Sequence, residues 1–548
     1  MMNLRIKGFL AILAMLIGLP LHAQTSPGEV QTFWVPMRDS VRLVTRIYQP
    51  SDPASHPTLL IRTAEDPQSY QSAARFFVQH GYNVAIQSLR GRFGSEGADS
   101  LFFNQRPTLQ FDGYDAVEWL AKQPWSTEKI GTFGEGEAGF VQYFTAAAEP
   151  PHLRAQYIVS APFSFYQDAA FPNGAFREEL MQHWLPQLSA TDLIPVLIQH
   201  PRYDAFWLRL DATRFVPKFS TPITQVSGWF DVFLQGAISA FWHVQKKGQK
   251  IARQYQRLVI GPWATGMKYI GRQEQGELIY PENATFNLLE DAVRWFDQWL
   301  KSEDTGILIE PPVKYYLMGD IEDTLATGNV WRSAGTWPPK FRPVKYFLQK
   351  NGQLGTTGPD KRGTAEGFRY QPADPIPTVG GANFSIEAGP HDQQTVELRQ
   401  DVLIFTSPPL EQELAIAGPV MLELYAASSA YDTDFTAKLT DVYPDGRSML
   451  VTDGIIRARF RESLKKEKLL RPDKVYRFWI PLGHTAMVFN KGHRIRLAIS
   501  SSNHPRFQAN PNSPLPFSRQ KQNRVAVNTI YYGGQKASYL RLPVISVE

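Results

Sequence analysis

The spacing of apolar positions changes rhythm twice along this chain. From residue 28 to 161, short apolar runs alternate with segments of helical spacing. Pro57–Ile61 and Tyr82–Gln87 read as strands, and Gln71–His80 between them has helical spacing that Gly81 stops. Asp112–Leu120 reads as a capped amphipathic helix and Gln156–Ser160 as a further strand. Over 162–219 the strand signal fades. Trp184, Leu185, Leu188, Phe206, Trp207 and Leu208 recur at mixed spacing, which predicts a helical insertion over the C-terminal edge of the sheet. The alternation resumes over 220–337 with strands at Thr221–Trp229 and Arg257–Gly261 and a helix at Ala237–Gln249. Ala292, Trp295, Phe296, Trp299 and Leu300 then form one apolar stripe at i, i+3, i+4, i+7 and i+8, a helix that closes this unit. Strands and helices in alternation predict a mostly parallel sheet with helices on both faces. From 338 to 548 the period is two, as in Val420–Tyr425 and Ile495–Ile499, with turn clusters such as Tyr443–Gly446 between the runs. That predicts an antiparallel all-β sandwich or jelly roll. Pro372–Pro390 reads as a loop.

The segment Ile130–Phe140 stands out in the first unit. A β-prone approach runs into Gly134-Glu135-Gly136-Glu137-Ala138-Gly139, and an Ala-rich helical stretch, Ala138–Ala148, follows. Strand, tight turn and helix are the layout of a nucleophile elbow, which calls for Ser, Cys or Asp at the tip. Here the tip reads Glu-Gly-Glu.

Composition narrows the picture. A chain of 548 residues with 20% charged side chains is an ordinary globular protein of two or three domains. It has no Cys, which excludes disulfides, thiolate catalysis and thiolate metal sites. No His, Asp or Glu pattern has metal-ligand spacing, so no cofactor is expected. The net charge of +5 is too small to call for a nucleic-acid partner, and the run Leu464–Lys468 reads as a solvated loop. Arg5 and Lys7 precede an apolar run, Phe9–Leu21, that ends at Leu21-His22-Ala23. Residues 1–23 therefore read as a secretory signal peptide, with no transmembrane segment after cleavage and a periplasmic or extracellular destination.

Several motifs together resemble the family of cocaine esterase, α-amino-acid ester hydrolases and X-Pro dipeptidyl-peptidases. In the last third these are Ser428–Leu439, Asp445-Gly446-Arg447, Thr452–Arg459 and Ser500–Phe507. In the first unit they are Asp112-Gly113-Tyr114-Asp115, Gln123-Pro124-Trp125, Gly228-Trp229-Phe230-Asp231 and Trp295–Lys301. The resemblance implies an α/β-hydrolase domain (28–161 and 220–337), a helical cap (162–219) and a C-terminal jelly roll (338–548). It also implies a Ser-His-Asp triad, in which an imidazole takes the proton of the serine hydroxyl and a carboxylate orients the imidazole.

The catalytic positions depart from that pattern. The serine position is Gly136 and the next residue, a Tyr in the family, is Glu137. The base loop reads Gly261-Pro262-Trp263-Ala264-Thr265, which puts Thr265 where the family has His. Glu65 stands at the position of the family's oxyanion Tyr. Asp231 alone fits its triad role, and without a histidine it either pairs with Arg90 or faces water. Glu65, Glu137, Trp229 and Trp263 are the candidate ligand-binding residues. Ser95 reads as a turn residue, His183 and His200 lie in the cap, and His243, His484 and His493 read as structural. The primary reading is an exported, catalytically degenerate family member that uses its cleft to bind a small molecule or peptide. Convergence of Glu65, Glu137 and Asp231 would make that cleft anionic and favour an amine. Two alternatives stand beside it: a hydrolase of esters or X-Pro peptides with chemistry relocated to carboxylates, and an envelope assembly subunit with an envelope protein partner.

Overall fold

A computed structural model describes residues 30–103, 111–359, 361–520 and 522–546; the expected leader, 1–23, lies outside the described residues. Among the described residues no helix is long and apolar enough to cross a membrane.

The first unit is built on β1 (Gln31–Pro36), β2 (Arg42–Tyr48), β3 (His56–Thr63), β4 (Asn83–Ser88), β5 (Ser126–Glu135), β6 (Leu153–Val159), β7 (Ile223–Phe230) and β8 (Gln256–Ala264). A small hairpin follows, β9 (Glu274–Gln275) and β10 (Leu278–Ile279), and then β11 (Val313–Leu317) and β12 (Val330–Ala334). The main sheet has the order β1-β2-β4-β3-β5-β6-β7-β8-β11-β12. From β4 across to β11 every pairing is parallel, and both edges are antiparallel. Strands β4, β7 and β8 are buried at every residue, as expected for strands covered on both faces. The sheet does not begin at Pro57 as the apolar runs imply. The chain enters through the hairpin β1–β2, whose weaker alternation suits an exposed edge.

The helices are α1 (Gln71–Gln79), α2 (Asp112–Ala121), α3 (Gly136–Ala147), α4 (Glu178–Gln187), α5 (Leu193–Gln199), α6 (Leu234–Lys247), α7 (Lys250–Gln254) and α8 (Leu288–Phe296). The expected stripe is buried at Ala292, Trp295 and Phe296 of α8 and at Leu300 in the π-helical turn, Asp297–Lys301, that follows it. The cap expected on α2 is not made. Phe111 occupies the N-cap position without a side-chain hydrogen bond, and Asp112 turns inward. There it accepts from Arg90 Nε (2.8 Å) and Nη2 (2.6 Å).

Between β6 and β7 the chain makes the helical cap, with α4, α5 and short 3-10 turns. Glu179 on α4 fastens it to the β domain. Its carboxylate, buried, accepts from the Phe384 and Ser385 amides and from Ser385 Oγ. The loop 372–390 is thus an ordered strap lying against the cap.

The first sheet ends at Ala334, and an eleven-stranded β domain begins at Arg342. Its longest strand, 414–428, pairs antiparallel with 476–489. The motifs that carry the family resemblance here are structural. Asp434 lies opposite Arg457 in the antiparallel register, and the two form a fully buried bidentate pair at 2.9 Å. Asp432, also buried, accepts from Arg459 Nε (2.7 Å) and from the Arg459 amide (2.9 Å), and Asn510 donates to both aspartates. Asp434 and Arg457 are the end residues of their strands, and Asp432 and Arg459 lie just beyond those ends.

Breaking one such pair leaves a buried charge alone. Arg457→Met is expected to destabilise the protein by about 3–5 kcal/mol, while Arg457→Met with Asp434→Leu should recover much of the loss. Thermal unfolding of the two variants against the wild type measures this.

Candidate functional site

The elbow is formed. Glu135 ends β5 in extended conformation (φ −112°, ψ 163°), and the chain turns at Gly136 (φ +55°) directly into α3. The Gly136 amide donates to the Ser160 carbonyl at the end of β6 (3.1 Å). A Cβ on Gly134 would lie 2.8 Å from Ala138 Cβ, and one on Gly139 2.7 Å from Ala161 Cβ, so neither position admits a side chain. Gly136 differs. The nearest atom to a Cβ there is Trp184 Cζ2 at 4.0 Å, an ordinary contact. Space for a side chain exists at the tip, and only the left-handed backbone disfavours one. Trp184 packs on Phe233 and Phe384, so cap, acid loop and strap together roof the elbow.

Asp231 stands just past β7 and is buried. Its Oδ2 accepts from Ser227 Oγ (2.7 Å) and its Oδ1 from the Phe233 amide (2.9 Å). The hydroxyls of Ser160 and Thr265 also reach this carboxylate, and burial still raises its pKa. It neither pairs with Arg90 nor faces water: Arg90 is committed to Asp112 and to Asp39 (2.7 Å). Thr265 Oγ1 accepts from the Val232 amide (3.0 Å) and donates to the Asn383 carbonyl (3.4 Å). Gly136, Asp231 and Thr265 therefore meet at one centre, joined through Ser160.

The carboxylates flanking the tip reach in two directions. Glu135 Oε2 accepts from the Met267 amide just past β8 (2.5 Å). Glu137 is 1% exposed. Its Oε1 accepts from Thr63 Oγ1 (2.5 Å) and the Ala64 amide (3.0 Å) at the end of β3, and its Oε2 is buried without a partner. Burial, reinforced by Glu65, pushes Glu137 up to about 8, and burial pushes Glu135 up to about 7 against the bond from Met267. Burial raises Glu65 as well. The carboxyl groups converge as expected, but they do not make a strongly anionic cleft at neutral pH. Desolvation outweighs the hydrogen bonds and favours the protonated form of Glu137.

Two residues that the sequence reading passed over belong to this centre. Ser160 is buried at φ +42°, with Oγ accepting from the Gly266 amide (3.3 Å). The Tyr70 hydroxyl accepts from the Glu135 amide (3.2 Å), and its pKa is raised well above normal by burial, then by Glu135, Glu137 and Glu65. Neither lies in a motif; only the ends of β6 and of the loop after β3 bring them in.

Other expectations need correction. Trp263 is fully buried between Phe286 and Trp331, and its ring fills the space that a side chain at Gly261 would need. It is a core residue with no face toward a ligand. Trp229 is also buried, its indole donating to the Tyr316 carbonyl (2.7 Å), and it lines a cavity that Asp231 also lines but Gly136, Glu137 and Thr265 do not. His183 and His200 make their hydrogen bonds within the cap, to the Glu179 carbonyl (2.7 Å) and Asp204 (2.8 Å). Ser95 Oγ donates to the Ser88 carbonyl (2.9 Å), a turn bond.

A mainly parallel sheet, a strand–glycine–helix elbow at its C-terminal edge and an acid after β7 define the α/β-hydrolase class of protein. The pattern of the X-Pro dipeptidyl-peptidase (S15 family) matches residues 39–194 and 187–264, and that of the X-Pro dipeptidyl-peptidase C-terminal non-catalytic domain matches 306–541. Cocaine esterase of Rhodococcus sp. (strain MB1 Bresler) is 30% identical, over 93% of this chain and 97% of that protein. An α-amino acid ester hydrolase structure superposes with a TM-score of 0.82 at 25% identity, covering 97% of this chain and 100% of the other. An aminopeptidase from a marine sediment Thaumarchaeota archaeon gives 0.84 at 23%, covering 94% and 96%. The chain belongs to the X-Pro dipeptidyl-peptidase and cocaine esterase family of hydrolases.

The raised carboxyl groups make stability depend on pH. The folded state keeps a proton on Glu137 that the unfolded chain gives up above pH 4.5, so this contribution is lost as pH rises toward about 8. The melting temperature is expected to fall between pH 5 and 8, and Glu137→Gln, which keeps a neutral group there, should flatten that slope. Melting curves across this range test it.

Proposed function

We propose that this protein is an exported member of its family that binds a ligand at the elbow and does not act as a serine hydrolase. The observation that carries the reading is Gly136 at a fully formed elbow tip, with the bonded hydroxyl of Thr265 at the base position. Acyl transfer of the family's kind needs a nucleophile and an imidazole at those two points. A missing hydroxyl and a missing base, within an otherwise ordered centre, remove both halves of the proton transfer. The expected outcome is no turnover of p-nitrophenyl acetate or of X-Pro p-nitroanilides above the uncatalysed rate. Gly136→Ser with Thr265→His should then gain esterase activity, because the tip has room for the hydroxymethyl group and Asp231 is in place to orient the imidazole. Glu137→Tyr and Glu65→Tyr should add to that gain. A wild-type enzyme as active as the restored variant would overturn the reading.

The ligand proposed is a primary amine, such as a peptide N-terminus. Glu137 Oε2 is an acceptor with no donor, and an ammonium group would supply one. Because Glu135 and Glu137 hold protons near neutrality, binding a cation must release them. Affinity for a peptide N-terminus is expected to rise from pH 6 to about 8, where the ligand's own ammonium begins to lose its proton, with proton release from the site that titration calorimetry in two buffers of different ionisation heat detects. A pH-independent affinity would count against the site.

A second reading, surviving hydrolysis by relocated groups, has one observation in its favour. The hydroxyl of Ser160, on a left-handed backbone, stands against the Asp231 carboxylate. Wild-type turnover that disappears in Ser160→Ala would support this reading over the first.

A further inference from the structure

One outward sheet face of the β domain carries aromatic rings and cations in a regular pattern. Along Leu414–Ser428, the side chains of Leu422, Leu424 and Ala426 are fully buried, so Met421, Glu423 and Tyr425 point the other way. The antiparallel register sets their neighbours. Tyr425 lies opposite Arg477 on one side and Tyr531 on the other. Glu423 lies opposite Trp479 and Tyr539. One strand further out, Phe347 lies opposite Tyr539 and Lys345 opposite Arg541. Residues directly opposite one another share a face, so these side chains stand on one surface. Trp479 is 39% exposed there.

The surface is positively charged. Lys345 and Arg541 stand on it, Arg369 joins it opposite Val527, and Lys536 reaches the Tyr531 ring from the adjoining turn. Among the described residues of these strands its one carboxylate is Glu423, which is buried and already engaged. It accepts from Arg477 Nε (2.7 Å) and Nη2 (2.9 Å) and from the Tyr539 hydroxyl. Lys345, Lys536 and Arg541 form no ion pair among the described residues.

The cations are also held in place. Lys345 Nζ lies 4.2 Å from the centre of the Tyr539 ring, Arg477 Cζ 4.6 Å from that of Trp479, and Lys536 Nζ 4.7 Å from that of Tyr531. Attraction to the ring face orders the long side chains before any partner arrives. An anion that meets them then costs less conformational freedom than one that must gather loose side chains.

We propose that this face binds an acidic polysaccharide, a chain of sugar rings that carries carboxylates at intervals. The carboxylates meet Lys345, Arg369, Lys536 and Arg541, and the sugar hydroxyls meet those of Tyr425, Thr529 and Tyr531. The C–H groups of the sugar rings pack on the exposed part of Trp479. A single-stranded nucleic acid suits the face less well, because stacking of successive bases needs bare aromatic faces and a cation covers Trp479, Tyr531 and Tyr539. A bilayer suits it less well because docking there takes a face of projecting apolar side chains. The proposal does not depend on what the elbow binds.

The test is titration calorimetry of the full chain with an oligogalacturonate, alongside a neutral dextran oligomer, oligo-dT and phosphatidylglycerol vesicles. Saturable binding of the oligogalacturonate that weakens as salt is raised is expected, with none of the dextran. Lys345→Glu with Arg541→Glu should weaken it at least tenfold. Lys465→Glu with Lys466→Glu makes the same change of net charge in an exposed run elsewhere and should leave binding as it is. Melting curves check that each variant is folded. No saturable heat, equal binding of the dextran, tighter binding of oligo-dT or of the vesicles, or equal binding by the two double variants would overturn the proposal. Every elbow residue is left as it is, so this face and the elbow reading fail separately.

Discussion

The close packing of α3 on β5 and β6 is the constraint on which the centre depends. Cβ atoms at Gly134 and Gly139 would overlap Ala138 and Ala161, so the helix can lie this near the sheet only with glycine at both places. That approach forces the left-handed turn at Gly136 and aims position 136 at the roof formed by Trp184. It also sends the two flanking side chains to opposite sides of the tip. Glu135 reaches the loop after β8, and Glu137 reaches the end of β3. Their burial, and with it their raised pKa, is a consequence of the turn.

Different residues hold the scaffold and the elbow centre. Gly228 is required because the carbonyl of Trp263 lies where its Cβ would be. Asp112 with Arg90, and Asp434 with Arg457, are buried pairs whose loss of one partner would leave a charge in the interior. None of these depends on a serine at 136 or a histidine at 265. Fold and family are thus secure on their own terms, while function must be argued from the site. There the carboxyl groups of Glu135 and Glu137 are shut away from water, which raises their pKa.

Cap, sheet and β domain are bound to one another by the same loops that enclose the centre. Glu179 of the cap holds the strap at Phe384 and Ser385, the strap's Asn383 accepts from Thr265, and Asn383 Oδ1 accepts from Arg506 (2.6 Å). A cavity at this junction is lined by residues of the cap, of the β domain and of the loop that carries Asp231.

Much of the fold was legible because it rests on local signals. Helical stripes such as that of α8, apolar strands such as β4 and β8, and the glycines of the elbow are dictated by periodicity and steric exclusion within a few residues. The edge strands β1 and β2 were not legible, since an exposed antiparallel edge needs only weak alternation, and neither was the inward turn of Asp112, whose partner Arg90 is 22 residues away. At the centre, the sequence by itself determined which residues stand in the elbow and in the loops after β7 and β8: Gly136, Glu137, Asp231 and Thr265. Only the tertiary structure decided that Ser160 and Tyr70 join them, that Trp263 is core, and that burial raises the pKa of Glu135 and Glu137. The reason is physical: residue identity is local, whereas desolvation and hydrogen-bond partners are set by segments far apart in the chain that meet only when the sheet, the cap and the strap close together.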